Sequence, residues 1–98
     1  MVDSSSESAP VVGGVLVRYW AGARAAAGVS EESVPGPLTL SQLLDELVAR
    51  HADRSRLKDV LSVCSVLVGD RPVGTSDPAT VVLRPGDTVE LLPPFAGG

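Results

Sequence analysis

The sequence ends Leu92-Pro93-Pro94-Phe95-Ala96-Gly97-Gly98, and the group there with the most chemical promise is the carboxylate expected on Gly98. Glycine has no Cβ and reaches every backbone region, so Gly97-Gly98 can thread a channel that no side chain could enter. Pro93 and Pro94 fix φ and donate nothing to a ladder, so they end the strand before them and hold the tail away from the body. Extended, residues 93–98 would span roughly 20 Å at about 3.3–3.6 Å each, enough to reach into another protein's active site. The competing reading is a frayed end, where small residues commonly gather.

The other reactive side chains compose no catalytic constellation. One histidine and one cysteine are too few for a zinc site of Cys/His type, and no metal site is expected. His51 follows Val48 by three and Leu47 by four, at the C-terminal end of an apolar helical stripe. It reads as a partly buried capping residue favoured by the helix dipole, and as a poor base. Cys64 lies in an apolar run without a neighbouring Lys or Arg to activate it, and reads as a small core hydrophobe. Glu31-Glu32 and Asp45-Glu46 are adjacent carboxylates, and helix neighbours do not face one another, so both pairs read as solvated faces. No glycine-rich phosphate loop occurs.

At 98 residues the chain makes one small domain, and its 44% hydrophobic content suffices for a core although aromatics are only 3%. A single cysteine excludes an internal disulfide and points to a reducing compartment. The formal net charge of −4 argues against nucleic acid and anionic membranes and suits a partner with a basic cleft. No stretch has the apolar length of a transmembrane helix, and the N-terminus carries neither the cationic nor the apolar region of a secretory signal. A cytoplasmic location, with no membrane partner, is the expectation.

Residues 1–13 are rich in serine, acid and small residues without a periodic apolar face, and read as a disordered leader. Residues 14–92 read as the folded domain and 93–98 as a flexible tail. Val15–Trp20, β-branched and aromatic between Gly14 and Gly22, predicts the first strand, with Val15, Val17 and Tyr19 on one face and Leu16, Arg18 and Trp20 on the other. Ala23–Gly28 predicts a short helix closing on glycine, and Glu31–Val34 a weak strand before Pro35-Gly36-Pro37. Thr39 and Gln42 form a capping box, with Leu38 and Leu43 as its hydrophobic staple. Leu40, Leu43, Leu44, Leu47 and Val48 then lie on one stripe of an amphipathic helix. A shorter helix over Ser55–Leu61, a strand over Val63–Gly69 with a turn at Gly69-Asp70, a very short edge strand at Pro72-Val73, the turn Arg84–Asp87 and a last strand over Thr88–Leu92 complete the order.

That order, with one main helix, predicts an α+β roll: a mixed sheet wrapped around the helix, its first and last strands parallel at the centre because the helix supplies the crossover.

The tail from Leu92 to Gly98, the Pro85-Gly86-Asp87 turn and the opening Val17-Arg18-Tyr19-Trp20-Ala21 with Arg24 resemble the ThiS/MoaD sulfur carriers, and among them are most similar to small subunits of molybdopterin synthase. The resemblance covers residues 14–98. Leu91-Leu92 stands where many such carriers have aromatics, and Phe95 where a small β-branched residue is usual. The resemblance implies a β-grasp, ubiquitin-like fold and chemistry at Gly98, with Gly97 beside it. An E1-like adenylating and sulfurtransferase enzyme would use ATP to make an acyl-adenylate, and a persulfide would convert it to a thiocarboxylate. The large catalytic subunit of molybdopterin synthase, joined in a heterotetramer, would present that sulfur to a pyranopterin precursor. The carrier would be no catalyst alone and would bind no cofactor.

Alternation sends Trp20 and Leu92 to the sheet face opposite the helix, and parallel central strands bring them close, so a Trp-Leu patch beside the tail is an interface candidate. Arg24, at a position where the resembled family often has arginine, reads either as a polar contact nearby or as a solvated helix charge, and the resemblance implies that Pro93, Pro94, Phe95 and Ala96 lead the glycines into the partner. Carriers for cysteine or thiamine-thiazole synthesis, a ubiquitin-like modifier that forms isopeptides, and an interaction module with an inert tail are the alternatives.

Overall fold

The computed structural model describes residues 14–94. The expected leader, 1–13, and tail residues Phe95, Ala96, Gly97 and Gly98 lie outside the described residues. In chain order the elements are β1 (Gly14–Tyr19), α1 (Ala21–Ala27), β2 (Glu31–Pro35), β3 (Leu38–Thr39), α2 (Leu40–Arg50), α3 (Ser55–Val63), β4 (Ser65–Val68), β5 (Arg71–Pro72), a single 3-10 turn (Pro78–Thr80), β6 (Val82–Leu83) and β7 (Thr88–Leu92).

The main sheet runs β2-β1-β7-β4-β5. β1 and β7 are parallel neighbours near its centre, with Val17 opposite Val89 and Tyr19 opposite Leu91. β2 flanks β1 and β4 flanks β7, both antiparallel. The side-chain alternation of the strands sets what each face does. Val15, Val17, Tyr19, Val89 and Leu91 are buried on the face that carries the helices, while Leu16, Arg18, Glu90 and Leu92 lie half-buried on the other.

The crossover is α2, and its start is fixed by the expected capping box. The Thr39 hydroxyl accepts from the Gln42 amide at 3.1 Å, and the Gln42 side chain accepts from the Thr39 amide at 2.9 Å. Loss of such a cap typically costs about 1 kcal/mol. Leu40, Leu43 and Leu47 are buried along the helix, and Leu44 and Val48 pack half-buried at its flank. α1 and α3 complete the core with Ala23, Ala27, Leu57 and Leu61. The α+β roll therefore forms as expected, with two lesser helices closing the space beside the main one.

Several boundaries differ from the sequence expectation. α3 continues through Val63, which is 60% exposed, and β4 begins only at Ser65. The β-branched run from Val63 favours a strand, but burial of Leu57 and Leu61 one turn apart holds the helix, which closes with the Cys64 amide donating to the Leu61 carbonyl at 3.3 Å. The short edge strand lies at Arg71–Pro72, one residue earlier than expected. β3 and β6 form a small second sheet, with Leu38 opposite Leu83, that no sequence signal announced.

Candidate functional site

β7 runs directly into Pro93 and Pro94, so the tail is rooted at the end of a central strand. The parallel ladder continues one residue past β1, where the Trp20 amide donates to the Leu91 carbonyl at 3.1 Å. Trp20 then turns the chain: it keeps extended backbone, and its carbonyl accepts from the Ala23 amide at 2.9 Å to open α1. Ala21, next in sequence, has φ of 46°, unusual for a residue with a side chain. A Cβ built on Gly22 would meet Pro93 Cγ at 4.0 Å, so the first turn of α1 flanks the root of the tail.

Trp20 is 42% exposed, and its indole lies back over the open sheet face. Its Nε1 donates to Glu90 Oε1 at 2.9 Å, and the Arg18 guanidinium stands 5.3 Å from the ring centroid, within cation–π range. Arg18 in turn pairs with Glu31 at 3.3 Å. Leu92 is half-buried at the end of β7, as are Leu16 and Leu67 on the same face. Trp20, Leu92 and Pro93 thus meet at one end of the sheet. Pro94 is exposed just beyond them. Arg24 is exposed one turn into α1, in a shallow cleft with Gly28, Val29 and Ser30, and among the described residues it forms no ion pair with the patch.

A second polar cluster contradicts the reading of Glu32 as part of a solvated face. Glu32 shares a strand face with buried Val34, so it points inward at the sheet edge, where Tyr19 and the end of α2 meet it. Glu32 Oε2 accepts from the Tyr19 hydroxyl at 2.6 Å and lies 2.7 Å from His51 Nε2. Arg50 donates to Glu32 Oε1 at 3.3 Å and to the Ser33 carbonyl at 2.8 Å. Burial works to raise the Glu32 pKa, but the hydrogen bonds from Tyr19 and His51, with the charges beyond them, outweigh it and hold the carboxyl below its ordinary value. Burial, then the bond to Glu32, pushes the Tyr19 phenol far up. His51 is the half-buried cap of α2, as its position implied. The missed signal was the period-two relation of Glu32 to Val34, overridden by its acidic neighbour.

Burial pushes the Cys64 thiol up to about 11, so at neutral pH it is a protonated, unreactive group packed against the core. No described helix is long and apolar enough to cross a membrane.

Residues 17–98 match the ThiS family. The chain belongs to the ThiS family. A molybdopterin synthase sulfur carrier subunit from Aspergillus niger is 34% identical over 82 residues, covering 84% of this chain and 91% of that protein. Among solved structures, the complex of subunits 1 and 2 of molybdopterin-converting factor from Helicobacter pylori contains a chain 26% identical, with TM-score 0.59, covering 87% of this chain and 99% of its own. The small archaeal modifier protein 1 of Methanosarcina acetivorans is 22% identical with TM-score 0.71, covering 90% of this chain and 99% of its own, and shares the fold. The roll is the ubiquitin-like β-grasp fold that these solved structures share.

Proposed function

We propose that this ThiS-family chain is the sulfur carrier subunit of a molybdopterin synthase, with Gly98 as the atom-bearing end. The observation that carries the reading is the family match over residues 17–98, which takes in a tail that follows a central strand. The named relative from Aspergillus niger supports the pathway, and the two-subunit Helicobacter pylori complex supports a large-subunit partner.

A carboxylate is a poor electrophile because its charge is delocalised. ATP would convert Gly98 on an E1-like enzyme to an acyl-adenylate, releasing pyrophosphate. The terminal sulfur of a persulfide would then displace AMP, and a thiol would reduce the resulting S–S bond to leave a thiocarboxylate. Its soft sulfur is the nucleophile that the large subunit would align against a pyranopterin precursor. Alignment in the partner's site, in place of chance encounter, supplies much of the rate. Gly97 and Gly98 would fit a channel too narrow for side chains, and Pro93, Pro94, Phe95 and Ala96 would lead them into it. Trp20 and Leu92 form the docking patch, with Arg24 as a peripheral contact. The carrier itself needs no bound cofactor.

Co-expression with candidate activating enzymes followed by intact-mass measurement tests the reading. Replacement of one oxygen by sulfur at the terminus is the expected result. An unchanged mass with every activator would overturn it, and lysine-linked adducts would assign the chain to the protein modifiers.

A further inference from the structure

We infer that Glu90 is a positioning residue for partner docking: it holds the Trp20 indole in one orientation over the open sheet face, beside the strand end from which the tail departs, as a preset anchor. The inference rests on the carrier reading above.

Glu90 sits on β7 directly opposite Arg18 of β1, which sits directly opposite Glu31 of β2. The three charges form a row across the open face, and the row is knit together by Arg18 to Glu31 at 3.3 Å and Trp20 Nε1 to Glu90 at 2.9 Å. The indole is bonded at its edge by Glu90 and approached by the Arg18 cation, yet it remains 42% exposed. An exposed tryptophan held in one orientation loses little rotamer freedom on binding, which is where anchor residues gain affinity.

The occupant follows from continuity with the tail. Any protein that encloses the residues after Pro94 must arrive at the end of the sheet where Trp20, Leu92 and Pro93 meet. For a carrier the committed partner is the large synthase subunit, and the complementary surface is an apolar pocket for the indole rimmed by Lys or Arg to face Glu31. A chain of net charge −4 meets such a rim favourably.

Trp20 is the sole tryptophan, so its fluorescence anisotropy reports the indole without labelling. In the free chain, Glu90→Ala lowers the anisotropy while the thermal midpoint stays put, and Glu90→Gln, which retains an acceptor oxygen, keeps it. Affinity for recombinant large subunit falls roughly tenfold in Glu90→Ala, the loss of a single anchor contribution, and recovers in Glu90→Gln. In a Trp20→Phe background, Glu90→Ala has no further effect on affinity. Three results overturn the inference: unchanged anisotropy, a Glu90→Gln loss equal to that of Glu90→Ala, or a Glu90→Ala loss that persists beside Trp20→Phe, since the last two mean that Glu90 acts by its own charge or contact. Absence of any binding by the wild-type chain overturns the molybdopterin synthase reading and this partner with it, whereas the free-chain anisotropy judges the Glu90 contact independently.

Discussion

The Tyr19 hydroxyl donates to Glu32 at 2.6 Å, joining the core end of β1 to the edge strand β2 at the point where α2 stops. Through that carboxylate the sheet is tied to His51 and Arg50, so the C-terminal end of the main helix is fastened by polar contacts where its leucine stripe runs out.

Tyr19 is the sole tyrosine, and its folded pKa lies far above the ordinary 10.0. A raised folded pKa contributes stability that is complete below the unfolded value and lost as pH climbs through and beyond it. Base titration should therefore show no phenolate absorbance until the chain unfolds, and then all of it together. A simple ionisation near 10 with circular dichroism unchanged would refute this.

Glu32 has the opposite sign. Its folded pKa is below the ordinary 4.5, so its contribution is complete above that value and drains away as pH falls through the folded one. Glu32→Gln should flatten the acid limb of the stability curve measured by urea melts. Glu32→Gln melts with the same steep acid loss as the parent would show that other carboxylates govern it.

Gly28 closes α1 with φ of 82°, and a Cβ there would lie 2.6 Å from the Arg54 guanidinium. The guanidinium is the free end of a flexible side chain and can move aside, so the backbone conformation decides the cost. Gly28→Ala should destabilise by about 1 kcal/mol. Adding Arg54→Ala should not restore the loss; full recovery in the double variant would assign the cost to the contact.

Extension of the chain by one residue beyond Gly98 should abolish sulfur loading while leaving the thermal midpoint unchanged, because the domain described by residues 14–94 holds the core. An extended variant that still gains sulfur by mass would remove Gly98 as the acceptor.

Much of this fold was legible because its signals were local and redundant. Thr39 and Gln42 announced the helix start, the leucine spacing announced its buried face, and the β-branched opening announced β1; each agreed with the others. β3 and β6 were illegible because two-residue strands have no period, and the pairing of Leu38 with Leu83 depends on the chain returning from far along the sequence. Val63 misled because strand propensity is a weak preference that packing of Leu57 and Leu61 overrides. At the site, alternation placed Trp20 and Leu92 on the open face, although Trp20 proved to be the cap of α1. The partners of Trp20, Glu90 and Arg18, were hidden because they follow from strand register, which a single sequence does not state. The same is true of Glu32, whose acidic type suggested solvent while its position two before Val34 pointed inward.

The central place of β7 has a mechanical consequence. A pull on the tail is directed along β7, which is hydrogen-bonded on one side to β1 and on the other to β4. Force along a strand loads the bonds of both ladders in shear, all at once, whereas an edge strand peeled sideways would give them up singly. Tension along β7 is therefore shared between the two ladders that hold the sheet together.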